Sequence, residues 1–174
     1  FRSERGYSDG RRPDEVRYGH TPEEDALRRD FTCNALFLDP LNEELLDPTG
    51  GQADLEDGLL RTVGDPAERF REDALRLLRL ARFRARYDLL VEDETLAAAR
   101  REAPGLARVS RERVLDELGK ILTSRGAHLA LGLLVETGLL ETALPGIGGL
   151  HGAHHENGTT ARVEAMEWLE STDL

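Results

Sequence analysis

Several things are scarce in this chain, and each scarcity excludes something. There is one cysteine, Cys33, so no intramolecular disulfide can form. A reducing cytoplasm is the natural compartment for such a chain, and Cys33 itself reads as a small core residue on a strand. No apolar run approaches the roughly 20 residues that a membrane helix needs, so no membrane partner is expected. The opening residues FRSERGYSDG contain no apolar stretch of the kind a secretory signal requires. Positive charge is short as well: 23 basic against 34 acidic residues give a net charge of −11 and a pI near 4.9. That balance argues against wholesale binding of a phosphate backbone, which needs a basic surface. Lysine is nearly absent, with Lys120 alone against 22 arginines. Arginine forks onto phosphates and base edges, so where the arginines cluster matters more than the net charge.

What is present describes a globular chain. Its 174 residues are 39% hydrophobic and 33% charged, with apolar clusters recurring along the length. The pattern predicts an α+β chain, a small mixed piece followed by an all-helical piece with a boundary near residue 64. In the first piece, residues 7–12 read as loop and 16–18 as a short strand. Thr21-Pro22-Glu23-Glu24 reads as a capping box with proline at the first helical position, opening a helix to about Arg28. Residues 33–38 and Leu45-Leu46 read as strands of a small hairpin around the Asp39-Pro40 turn. Asp47-Pro48 and Gly50-Gly51 are turn punctuation before a short helix at 52–57 and a strand at 59–63.

In the second piece, Asp65-Pro66-Ala67-Glu68 is another capping box, and the spacing predicts one long helix from there to about Tyr87. Glu92-Asp93-Glu94 reads as a solvated loop. Ser110 opens a helix with Val114, Leu115, Leu118, Ile121 and Leu122 on one face. Residues 126–136 are apolar nearly all round, as in a buried helix. Pro145 and the glycines at 146, 148 and 149 mark a linker. An amphipathic segment follows at 160–170.

The long helix carries the functional signal. On a wheel of 100° per residue, Phe70, Ala74, Leu77, Leu78 and Ala81 share one arc, the core face. Asp73, Arg76, Arg79 and Arg82 spiral down the opposite side, with Leu75 and Phe83 among them, so this second face meets something. The plainer reading is a solvated helix whose i, i+3 pair Asp73–Arg76 contributes a few tenths of a kcal/mol. The functional reading is chemical. A carboxylate beside a guanidinium presents an acceptor and then a donor. Cytosine (N4 amino, N3) and adenine (N6 amino, N1) both match that edge. Guanine and uracil present the opposite order and leave groups unpaired. One Asp–Arg pair can thus choose CTP and ATP without a template, and arginines one turn further on can hold phosphates.

Several stretches resemble the class II tRNA nucleotidyltransferases (CCA-adding enzymes) and related bacterial poly(A) polymerases. Arg28-Arg29-Asp30-Phe31-Thr32-Cys33-Asn34-Ala35 is similar to the family's RRDFTxNA motif, and Asp47-Pro48-Thr49-Gly50-Gly51-Gln52-Ala53-Asp54-Leu55 to its DPxGGxxDL turn. Arg61-Thr62-Val63-Gly64-Asp65-Pro66 resembles RxVGxP, and Arg69-Phe70-Arg71-Glu72-Asp73-Ala74-Leu75-Arg76 resembles RFxEDxLR. The upstream segment from Phe1-Arg2 to Tyr7-Ser8-Asp9-Gly10-Arg11-Arg12-Pro13 is similar to the loop before RRDFT. In order, these motifs cover residues 1–125. The resemblance implies that residues 1–64 are the distal part of a palm-like nucleotidyltransferase head. It implies a helical neck and the start of a body at 65–145, and a linker with a further helical region at 146–174. It implies that Arg29 contacts the incoming nucleotide and that Asp30 and Asn34 shape the ribose site. Asp73 and Arg76 match the base-reading pair, and Arg79 and Arg82 the further nucleotide-binding arginines. The activity implied is addition of CMP and AMP to the 3′ end of tRNA, with ATP and CTP as substrates and tRNA or another RNA 3′ end as partner. Poly(A) synthesis and CC-only or A-only addition share these motifs. A non-catalytic nucleotide- or RNA-binding module is the alternative of another class.

The family's Mg2+ is held by a DxD pair after a GGxxRD stretch, and no DxD occurs in this sequence. Catalytic residues and a metal site are therefore not expected within the chain, and Mg2+ is expected at upstream carboxylates. His151, His154, His155 and Glu156 suggest a metal cluster of the kind found in HD phosphohydrolase domains, but no His-Asp dipeptide is present and a solvated linker is the plainer reading.

Overall fold

The computed structural model describes residues 21–145 in full, together with the backbone of Ser3–Arg5 and Glu15–Arg17. The loop expected at 7–12, the region 146–174 and the histidine cluster within it lie outside the described residues. Strands β1 (Ser3–Arg5) and β2 (Glu15–Arg17) pair antiparallel, Ser3 opposite Arg17. The strand read at 16–18 thus starts one residue earlier, and its partner carries no signal in its sequence.

Helix α1 (Pro22–Ala26) starts as the capping box requires: the Thr21 hydroxyl accepts the Glu24 amide at 3.3 Å, and Pro22 holds the first position. It stops before Arg28, because the amides of Arg28 and Arg29 turn back to carbonyls three residues earlier. The strand expected at 33–38 is only partly one. Thr32–Asn34 form a 3₁₀ turn, and the strand is β3 (Phe37–Asp39), paired with β4 (Glu44–Leu46) as the predicted hairpin. The reason is polar. The Thr32 hydroxyl donates to Asp54 at 2.7 Å and its amide to the Arg61 carbonyl at 3.0 Å, which curls the chain there. Cys33 therefore sits in a turn, half-buried against the core, not on a strand. Helix α2 (Gly51–Glu56) begins where Asp47 accepts the amides of Gly51 and Gln52 at 2.8 and 2.9 Å. Burial pushes the Asp47 carboxyl up, but the amides of Gln52, Gly51, Thr49 and Gly50 together outweigh it and hold the carboxyl below its ordinary value.

Strand β5 (Leu59–Leu60) pairs parallel with β6 (Leu90–Val91), and Phe31 bridges to Thr62. The continuous helix expected from 65 to 87 is two. Helix α3 (Pro66–Glu72) is capped by Asp65, whose carboxylate accepts the Glu68 amide at 2.8 Å. It ends at Asp73, which is extended (φ −148°, ψ 101°), and α4 (Arg76–Tyr87) begins after it. Ala74 and Leu75 favour helix, but the Asp73 carboxylate takes the Leu75 amide at 3.1 Å and opens a new turn. The wheel that joins Phe70 to Phe83 thus crosses a break, and only its portion from Arg76 onward applies.

Glu92 to Glu94 are not a solvated loop. Glu92 caps α5 (Asp93–Glu102) by accepting the Thr95 amide at 2.7 Å, and Asp93 and Glu94 fill its first turn, where carboxylates favour the helix dipole. A 3₁₀ segment at Ala103–Arg108 leads to α6 (Arg111–Leu122), α7 (Ala127–Glu136) and α8 (Leu139–Ala143). Ser110 stands at the cap of α6 without a side-chain bond there. On α6, Val114, Leu118 and Ile121 are buried, while Leu115 and Leu122 are exposed, because Glu117 takes the place on the inner face that the pattern gave to leucine. Helix α7 packs on α4 with Ala130, Leu133 and Leu134 buried, but His128 and Gly132 face out, so its burial is one-sided. The main core joins Leu77, Leu78 and Leu80 of α4 to these helices, and it also includes Phe31 and Leu60 from the first piece. Among the described residues, no helix is long and apolar enough to cross a membrane.

Candidate nucleotide site

The side chains singled out in the sequence converge on the seam where residues 28–34 meet α4. Asp30, 6% exposed, is the centre. Its Oδ1 accepts the Phe31 amide and the Asn34 side-chain amide, both at 2.9 Å, and its Oδ2 accepts Arg79 Nε at 2.6 Å. Asp30, Asn34 and Arg79 thus form one network, with the carboxylate compensated for its burial by three donors. Phe83 forms the floor under it. The Arg79 guanidinium lies 5.5 Å from the Phe83 ring centre, and Phe31 meets that ring edge-on at 5.5 Å.

Arg76 reaches the same segment from one turn earlier. It donates to the Arg28 carbonyl at 3.2 Å, to the Arg69 carbonyl at 2.9 Å and to Glu72 at 2.6 Å. Glu72 also accepts from Arg69 at 2.9 Å, and Arg69 in turn donates to the Val63 carbonyl at 2.9 Å. Asp73 lies at the helix break, its Oδ1 on the Leu75 amide and its Oδ2 3.0 Å from Arg113 of α6. The Asp73 carbonyl accepts the Arg76 amide at 3.0 Å, but their side chains do not pair with each other.

Two candidates stand apart. Arg29 pairs with Asp25, its Nε 3.0 Å from the carboxylate, and lies 5.6 Å from the centre of the Phe37 ring. Arg82 leans over Phe83 and is ion-paired to Glu117, which is 3% exposed and also accepts from Lys120. The second face of α4 does meet something: Arg79 meets Asp30, and Arg82 meets α6.

Sequence reasoning missed Glu72, Arg113 and Glu117. Glu117 left a signal, since it falls at helical spacing between Val114 and Ile121 within an apolar stripe. Arg113 left none, because its partner is 40 positions away.

The described residues do not fit a resident metal. They hold no group of three or more histidine, cysteine or acidic side chains able to bind one. The carboxylates of Asp30, Asp54 and Asp73 are already engaged, Asp54 by Thr32 and by Arg61 at 3.0 Å.

The family profile described as "Poly A polymerase head domain" matches residues 1–61, and that described as "Probable RNA and SrmB- binding site of polymerase A" matches residues 88–149. The CCA-adding enzyme of Geobacillus thermodenitrificans is 45% identical over 147 residues, covering 84% of this chain and 36% of that protein. That of Streptococcus gordonii is 45% identical over 171 residues, covering 98% of this chain and 40% of that protein. The crystal structure of the Bacillus stearothermophilus CCA-adding enzyme in complex with CTP superposes with a TM-score of 0.72 at 42% identity, covering 77% of this chain and 33% of the other. The chain therefore spans two fifths or less of the length of these relatives.

Proposed function

Because the chain belongs to the family of CCA-adding enzymes and bacterial poly(A) polymerases (class II tRNA nucleotidyltransferases), we propose that it is the nucleotide-selecting part of a template-independent enzyme adding CMP and AMP to the 3′ end of tRNA. The observation that carries this reading is the state of Asp73 and Arg76. Both are held in place, and both keep hydrogen-bonding capacity. A guanidinium carries five N–H donors, and Arg76 uses three of them on Arg69, Glu72 and Arg28. A carboxylate has room for about four acceptor contacts, and Asp73 uses two. What remains is one acceptor edge and one donor edge, the complement of cytosine and adenine.

In this reading Asp73 accepts the exocyclic amino group, and Arg76 donates to the ring nitrogen beside it. Asp30 and Asn34 shape the ribose site, with Arg79 holding Asp30 in place. Arg29, Arg79 and Arg82 supply positive charge for the triphosphate, and Arg82 does so across its pair with Glu117. The head, neck and linker division at residues 64 and 145 belongs to the same proposal. Mg2+ is required by the chemistry proposed, and its carboxylates are a DxD pair that this sequence does not contain. We place the protein in the cytoplasm, where a chain with one cysteine faces no oxidising demand.

The test is nucleotide selectivity in the full-length gene product. Asp73→Ala should lower the preference for ATP over GTP by about a hundredfold, since a polar site matched to one base edge rejects an edge that leaves its groups unpaired. An unchanged preference overturns the base-reading role. Product ladders on tRNA ending before, within and after CCA then decide the reaction: extension that stops at CCA supports the proposal, and an open-ended adenylate ladder replaces it with polyadenylation.

A further inference from the structure

Helix α6 grips the region around the helix break by two ion pairs of opposite polarity. Arg113 holds Asp73, and Glu117, one turn further along α6, holds Arg82. The second pair is buried and fixes α6 against α4. The first ends on the one carboxylate to which base reading is assigned. Asp73 is in extended backbone, outside either helix, so no helical rotamer sets its direction. Its carboxylate plane is set by two protein donors, Leu75 N–H on Oδ1 at 3.1 Å and Arg113 Nη2 on Oδ2 at 3.0 Å.

That arrangement has a chemical consequence. An unrestrained carboxylate suits guanine well, because guanine offers two donors side by side, N1–H and the N2 amino group, and a carboxylate can take both with its two oxygens. Adenine and cytosine offer one amino donor beside a ring acceptor. A carboxylate with each oxygen already accepting from a fixed protein donor keeps one lone pair on each, in directions those donors set, so it can meet one amino group but cannot rotate to align both oxygens with the guanine fork. We infer that Arg113 is a positioning residue that excludes guanine by restraining the Asp73 carboxylate. Uracil, with one N3–H between two carbonyls, has no such fork and gains little from release of the restraint.

This inference rests on the base-reading role proposed for Asp73, and the variants separate the two. In the full-length gene product, Arg113→Met keeps the side-chain stem and removes the donor. It should raise kcat/KM for GTP relative to ATP by about tenfold, while the UTP-to-ATP ratio stays within about twofold. Arg113→Lys, which keeps a charged donor, should return the GTP ratio most of the way. A purely structural loss would lower all four nucleotides together and leave both ratios unchanged. That outcome overturns the inference, and if Asp73→Ala still abolishes selectivity the base-reading role survives it. If Asp73→Ala leaves selectivity intact, both fall. Should Arg113→Met not fold, Arg113→Gln is measured in its place, with the same rise expected and the same unchanged ratio overturning it.

Discussion

The two halves of the described chain are held by different forces. Residues 65–145 are built on an apolar core, with Leu77, Leu78, Ile121, Leu133 and Leu139 almost wholly removed from water. Residues 21–64 have only a small cluster of Ala26, Ala35 and Val63 of their own, with Phe37 against it. Their shape comes instead from carboxylates set on backbone turns: Asp47 under the start of α2, Asp54 on Thr32 and Arg61, and Asp30 on Phe31, Asn34 and Arg79. Two of their large apolar side chains, the fully buried Phe31 and Leu60, are lent to the helical core. The contrast teaches why the site lies at the seam. Polar side chains organise a piece that has little hydrophobic support, and one of them, Asp30, ties that piece to α4 through Arg79.

The comparison can be broken first in the helical half. Leu78→Ala removes a fully buried side chain from α4 and should cost about 2–5 kcal/mol, lowering the denaturation midpoint of both halves together because Phe31 and Leu60 share that core. Glu117→Ala strips the buried partner from Arg82 and should cost about 3 kcal/mol. The Arg82 side chain retains 16% exposure, which lets water recover part of its loss. Urea denaturation measures both, and for the second, Arg82→Met combined with Glu117→Leu should recover most of the stability. In the polar half, Gly51→Ala places a Cβ 2.2 Å from the Thr32 carbonyl oxygen, a backbone atom that cannot swing aside. We expect a loss of about 1–3 kcal/mol, with faster hydrogen exchange confined to residues 30–35 and 50–56 while α4 and α7 stay protected. Equal loss of protection in α7 would show that the two halves unfold as one.

The smallest effect is expected at Cys33. Burial pushes its thiol up from 9.0 to about 11, with the Asp30 charge adding to this and Asp54 contributing less. The unfolded thiol ionises first, so the contribution of this group to stability is intact below pH 9 and fades as the pH rises toward 11. Thermal midpoints of the native chain and of Cys33→Ala should run parallel below pH 9 and converge or cross above it. Parallel lines throughout would place the thiol in contact with water.

Much of this was legible residue by residue. Thr21 and Asp65 with the prolines after them marked two helix starts that the structure reproduces, since a cap is a local bond between a side chain and an amide three residues on. The Asp39 turn and its hairpin were legible for the same reason. The break at Asp73 was not, because Ala74, Leu75 and their neighbours all favour helix, and a single carboxylate–amide bond reversed the sum. The 3₁₀ turn at Thr32–Asn34 was hidden for another reason: its cause is Asp54 and Arg61, more than twenty positions away. In the site, Asp30, Asn34, Asp73, Arg76, Arg79 and Arg82 could be named from motif and spacing. Which of them touch could not.

By itself, the sequence determined the helical half, the capped helix starts, the membership of a nucleotidyltransferase family and the identity of the polar groups at the seam. These depend on local hydrogen bonds, apolar periodicity and motif order, all of which lie along the chain. Only the tertiary structure decided that Arg79 belongs to Asp30, that Arg82 belongs to Glu117, and that Asp73 is steered by Arg113. Each of those pairs joins residues 35 to 49 positions apart. An arginine on a helix face has several carboxylates within its reach in principle, and packing of the core, not anything written beside it in the chain, selects the one it meets.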